Sequence, residues 1–142
     1  HNVGKTVGPF RAVLGPFAVD PEGTLVFAKV EGLVGFEVGD LQTGLILIGE
    51  AVKGYDKAAA AEYECPSHGI AFTADGRELW VADGVQNQLH VFDAGPFPPS
   101  ELVAIPLTSQ PRWIAFSIDG RYAYPATGDI IDVSTRRIAG AL

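Results

Sequence analysis

Val19-Asp20-Pro21-Glu22-Gly23, Phe72-Thr73-Ala74-Asp75-Gly76 and Phe116-Ser117-Ile118-Asp119-Gly120 are one phrase written three times. The first two glycines lie 53 residues apart and the last two 44, a spacing that fits a four-stranded unit and is too long for leucine-rich or ankyrin repeats. After each glycine comes a run of aromatic and branched residues: Leu25-Val26-Phe27-Ala28, Leu79-Trp80-Val81-Ala82 and Tyr122-Ala123-Tyr124. Such residues suit a pleated surface. The following strand ends at an aspartate 17 residues past the glycine in the first two copies (Asp40, Asp93) and 12 past it in the third (Asp132). In Asp40-Leu41-Gln42-Thr43 and Asp132-Val133-Ser134-Thr135 the spacing Asp-x-x-Thr predicts a carboxylate that closes a hairpin on the backbone. Each copy is therefore expected to be a small antiparallel sheet.

The middle copy predicts strands over 69–73, 78–83, 88–94 and 101–107. Together the copies predict an all-β fold, a partial β-propeller of four-stranded antiparallel blades, since blades have this period. The chain divides into 1–8 as the outer strand of a preceding blade, 9–52 as a blade, 53–107 as a blade with an inserted loop over 53–65, and 108–142 as a third. A wedge of this kind exposes sheet flanks, which predicts self-association through open blade edges. Pro125 removes a ladder donor from a predicted strand and implies a local bulge.

Composition narrows the function. With 142 residues, 47% of them hydrophobic and 19% charged, the chain holds one ordinary core. Gly 17 and Pro 10 cut it into short elements and disfavour a helical bundle. A formal charge of −7 argues against a nucleic-acid surface, which needs basic contacts. No apolar run approaches a membrane span. The single Cys65 excludes an internal disulfide framework. The start at His1 suggests a cut through a longer protein.

The phrases Cys65-Pro66-Ser67-His68-Gly69-Ile70-Ala71-Phe72, Glu78-Leu79-Trp80-Val81-Ala82-Asp83-Gly84 and Phe116-Ser117-Ile118-Asp119-Gly120-Arg121-Tyr122-Ala123-Tyr124 resemble YVTN-type β-propeller repeat proteins. The resemblance implies a seven-bladed ring of which this chain is about half, and export to a periplasmic or extracellular location.

Loops from an outermost strand to the next innermost strand share a face with loops between second and third strands, around the channel mouth. Here that face collects 53–68, 83–87, 108–112 and 126–129. Within the insertion, Ala58-Ala59-Ala60-Ala61 predicts a short helical turn or an ordered lid, beside the plainer reading of a surface loop. Aligning Phe72 with Phe116 sets His68 opposite Arg112, two cation-capable side chains that favour an anion. The plainer reading of His68 is a hydrogen bond to a neighbouring loop. Asp83 and Asn87 resemble oxygen ligands that propeller lactonases direct at a divalent ion, while the structural reading has Asp83 close the turn before Gly84. No complete metal site and no cofactor is assigned, since Cys65-x-x-His68 supplies two of the four ligands structural zinc wants. His90 is expected to pack across strands, and Trp80 and Trp113 to lie in the core.

The leading expectation is a binding module holding a small anionic or polar ligand, or a partner's loop, at His68, Arg112, Asp83 and Asn87. The alternative is a metal-dependent hydrolase of the propeller lactonase type.

Overall fold

The computed structural model describes residues 6–61 and 69–142. Strands β1 (Leu14–Val19), β2 (Leu25–Val30), β3 (Gly35–Asp40) and β4 (Ile46–Ala51) form the first antiparallel sheet, each strand pairing with the next. A four-residue helix α1 (Lys57–Ala60) follows. The second sheet holds β5 (Ile70–Phe72), β6 (Glu78–Asp83), β7 (Gln88–Asp93) and β8 (Ser100–Pro106), and the third β9 (Ile114–Phe116), β10 (Tyr122–Pro125), β11 (Asp129–Asp132) and β12 (Arg137–Ala141). The predicted strands of the middle copy match to within one residue at each end. Pro125 is the last residue of β10, opposite Ile114, rather than an interior bulge.

The repeated phrase is a turn built from side chains. Thr73 Oγ donates to Asp75 at 2.6 Å and accepts from the Glu78 amide at 3.1 Å; Ser117 does the same with Asp119 at 2.6 Å and the Tyr122 amide at 3.0 Å. In the first copy Asp20 takes over both jobs, accepting from the Thr24 and Leu25 amides at 2.7 and 2.8 Å. Gly23, Gly76 and Gly120 all sit at φ of 69–70°, where a side chain is strained. At the opposite strand of each outer hairpin, the Thr43 and Thr135 amides donate to Asp40 and Asp132 at 2.9 Å, as the Asp-x-x-Thr spacing predicts.

Two apolar layers join the sheets. Phe27, Phe36 and Val38 of the first meet Ile70, Leu79, Val81 and Phe92 of the second, with Phe27 edge-on to Phe72 at 5.2 Å. On the other face of the second sheet Trp80, Leu89 and Val91 meet Ala123 and Ile131 of the third, and Trp80 stands edge-on to Phe116 at 5.5 Å. Innermost strands β1, β5 and β9 are neighbours in that order, so the sheets are arrayed around a common axis. Trp113 departs from expectation: it lies 55% exposed on the free face of the third sheet.

The turns also seat on one another. A Cβ on Gly76 would overlap the Pro21 ring, and one on Gly120 would come within 3.1 Å of Ala74 Cβ, whereas one on Gly23 meets nothing within 4 Å. Gly23→Ala therefore carries only the left-handed backbone penalty, about 1–2 kcal/mol, while Gly76→Ala adds an overpacking cost of roughly 1–3 kcal/mol. Urea denaturation of both variants measures the difference; equal losses would refute the seating.

Before β1, residues 6–13 cross the free face of the first sheet without strand structure. Gly8 donates to the Gly44 carbonyl at 3.0 Å, and Arg11 reaches buried Glu37 with its amide at 3.1 Å and its Nε at 2.9 Å. Residues 1–5 of the predicted outer strand 1–8 lie outside the described residues.

Candidate functional site

The second-to-third-strand hairpin of the middle sheet brings Asp83 to the end of β6 and His90 onto β7. Asp83 Oδ1 accepts from the Val85 and Gln86 amides at 2.8 and 3.0 Å, closing the turn. Its Oδ2 lies 3.1 Å from His90 Nε2, and His90 Nδ1 lies 2.8 Å from Glu101 Oε1 on β8. All three side chains are buried. A ring with a carboxylate at each nitrogen must donate twice, so His90 is an imidazolium here. Burial opposes charge on both partners, but the hydrogen bonds to Asp83 and Glu101 outweigh it and hold His90 above its ordinary 6.5. Likewise Asp83 stays below its ordinary 3.8 despite burial, through His90 and the two turn amides.

This chain of charges anchors the insertion above it. The Lys53 amide donates to Glu101 Oε2 at 2.6 Å, and Lys53 Nζ to the Glu101 carbonyl at 3.2 Å. Gln86 reaches the Gly54 carbonyl at 3.1 Å, and the Tyr55 hydroxyl donates to the Gly32 carbonyl. Asp56 caps α1, whose Ala60 is buried in the first apolar layer. The described part of the insertion is thus the ordered alternative rather than a loose loop.

Of the sequence-predicted residues, Asp83 is engaged internally as described. Asn87 is exposed at φ 56°, its carbonyl accepting from the Leu107 amide at 2.9 Å. Arg112 is exposed and makes no ion pair within the described residues. Its carbonyl oxygen comes within 3.1 Å of where a Gly69 Cβ would stand, so the entries to β5 and β9 touch. His68, like Cys65, lies outside the described residues. Near Arg112, buried Asp129 accepts from Thr108 and Thr127 hydroxyls at 3.0 and 2.7 Å and fixes the adjoining loops. The Asp83–His90–Glu101 arrangement was not anticipated. Only the alternation that buries His90 beside Leu89 and Val91 hints at it, and Glu101 comes from a strand after a Pro-rich hairpin.

At the opposite end of the sheets, beside the repeated turns, a groove of about 760 Å³ runs between the second and third sheets. Arg136 donates to Glu78 at 2.9 Å through Nε, and Arg77 stands 3.8 Å from Asp75. Two of its arginines thus face carboxylates, and the third, Arg121, lies over the Tyr122 ring at 5.5 Å. Among the described residues no group of three or more His, Cys, Asp or Glu side chains is arranged so that it could hold a metal ion, and no helix is long and apolar enough to cross a membrane.

No family model matches the chain, and no curated protein matches it in sequence. Solved structures do match. Hydrazine synthase of Kuenenia stuttgartiensis is 22% identical with a TM-score of 0.71, covering 93% of this chain and 38% of that one. The periplasmic gluconolactonase of Pseudomonas aeruginosa is 20% identical with a TM-score of 0.71, over 94% and 40%. Radial sheets, stacked turns and these matches agree. The chain forms part of a β-propeller. A 6-phosphogluconolactonase-like protein of Bacteroides uniformis is 16% identical with a TM-score of 0.67, over 86% of this chain and 37% of that one. The propeller segment here thus spans about two fifths of the length of these structures, and at such identities the likeness concerns the fold.

Proposed function

We propose that this propeller segment, of the YVTN repeat type, is a binding module whose channel rim holds a small anionic or polar ligand or a partner's loop. One observation carries the reading: the backbone of Arg112 lies against Gly69, the residue that follows His68. The exposed Arg112 thus stands beside the residue that follows His68 in sequence, at the start of adjacent inner strands. Asn87 adds an exposed amide on the same rim. Asp83 takes part from below, by closing the Val85-Gln86 turn and fixing the rim through His90, since its two oxygens are already occupied. A periplasmic or extracellular setting is in keeping with the periplasmic gluconolactonase among the fold neighbours.

The second reading, a metal-dependent hydrolase of lactonase type, draws support from the names of two fold neighbours. It requires Asp83 to leave His90 for a divalent ion. A stoichiometric divalent ion lost on Asp83→Asn would favour it.

Thermal unfolding in the presence of gluconate, citrate or inorganic phosphate tests the binding reading. At least one anion is expected to raise Tm saturably, and Arg112→Ala is expected to abolish that rise while leaving the ligand-free Tm unchanged. No anion-dependent rise, or one that survives Arg112→Ala, would count against the rim.

A further inference from the structure

Both internal sheet junctions repeat the same two contacts. The third residue of each turn phrase seats on the glycine of the next: Pro21 on Gly76, and Ala74 on Gly120. The residue four past each glycine stands edge-on to the phenylalanine that opens the next phrase: Phe27 to Phe72, and Trp80 to Phe116.

Extending the rule beyond the third sheet names the residues that await a partner. The third turn's seating residue is Ile118, which is fully exposed at 106%. Tyr124, four past Gly120, lies on the free face of β10 opposite exposed Ala115, with Trp113 beside it. Extending the rule backward from the first sheet gives the complementary residues. Gly23 has open space above it, and Val19 opens the first phrase at 41% exposure, with Phe17 at 59% two residues earlier on the same face. One flank offers a seating residue and an aromatic; the other offers an empty seat and an apolar opening residue.

We propose that the free face of the β9–β12 sheet docks the β1–β4 sheet of a second copy of this chain, with Ile118 over Gly23 and Tyr124 against Val19. The residues 7–11 that cross the first sheet lie on Gly39 and Gly49; on that face Val26, Ala28 and Val30 of β2 are buried, and Phe17 and Val19 of β1 stay exposed for the partner. Such a contact is head-to-tail, so two copies close a ring if the rotation allows it. Together they bring six sheets, within the roughly four to eight of closed propellers. Each chain carries a formal charge of −7, so repulsion opposes the pair and salt strengthens it.

Sedimentation velocity of the 142-residue chain tests this, across concentrations of about 1–300 µM and at low and moderate salt. The mass is expected to rise from 15.0 kDa toward twice that value, at lower concentrations in moderate salt. Ile118→Glu and Val19→Glu each weaken association at least about tenfold, with the Tm of the dilute monomer unchanged because both positions are exposed. A chain that stays monomeric throughout, as it would if further sheets of a longer polypeptide were the natural occupant, overturns the proposal. So does a variant that associates like the wild type.

Discussion

His90→Ala is expected to lower the unfolding free energy by about 3–5 kcal/mol, because it strands two buried carboxylates around one cavity. Asp83 and Glu101 face His90 at 3.1 and 2.8 Å, and the rest of their hydrogen bonds go to backbone amides that do not supply a full charge. His90→Gln keeps a donor toward one carboxylate and is expected to lose less than alanine. The pH dependence has a definite sign. Held above 6.5 in the folded chain, His90 contributes fully below 6.5 and loses that contribution as pH rises through its folded value. Asp83, held below 3.8, contributes above 3.8 and loses it as pH falls through its own folded value. The pair therefore supports the fold best between pH 3.8 and 6.5. Urea titrations across pH should show wild-type stability declining above that window and His90→Ala lacking the decline. A decline of equal size in both proteins would remove the imidazolium from the explanation.

Trp80→Ala is the second large loss. The side chain is fully buried between the second and third sheets, stands edge-on to Phe116, and donates through Nε1 to Glu78 at 2.8 Å. Truncation costs about 3–5 kcal/mol for the lost burial and the cavity. It also removes the donor from Glu78, which Arg136 binds from the third sheet. Trp80→Phe retains the ring contact and forfeits chiefly the hydrogen bond, a loss of about 0.5–1.5 kcal/mol. Against a total of about 5–15 kcal/mol for an ordinary domain, the alanine variant should unfold at markedly lower urea, read by circular dichroism. A shift no larger than that of the phenylalanine variant would show that the junction does not depend on the ring.

The fold was legible because its signals are local. A threonine or serine two residues before an aspartate, then glycine, specifies one turn by side-chain hydrogen bonds alone, and the structure builds that turn at Thr73 and again at Ser117. The hairpin carboxylates Asp40 and Asp132 were readable for the same reason. Trp113 misled because an aromatic on a strand fits either face, and only the number of neighbouring sheets decides which face is covered. The candidate site was harder to read. Asp83 looked like a surface ligand because turn aspartates are usually exposed; its second oxygen meets His90 only through the β6–β7 register, and Glu101 only through the β7–β8 register. Those pairings are long-range facts that spacing does not carry. Aligning Phe72 with Phe116 sets His68 opposite Arg112; His68 lies outside the described residues, and what the structure describes is the Arg112 carbonyl close to Gly69.

Among the described residues the middle sheet has an apolar layer on each side, and it also houses the buried His90. Energetically the array behaves like a row of coupled neighbours, in which the outer members each lean on a single support. Heat or denaturant should accordingly peel the row from its extremities inward, with the Trp80 strand the last to surrender its amide protons to solvent.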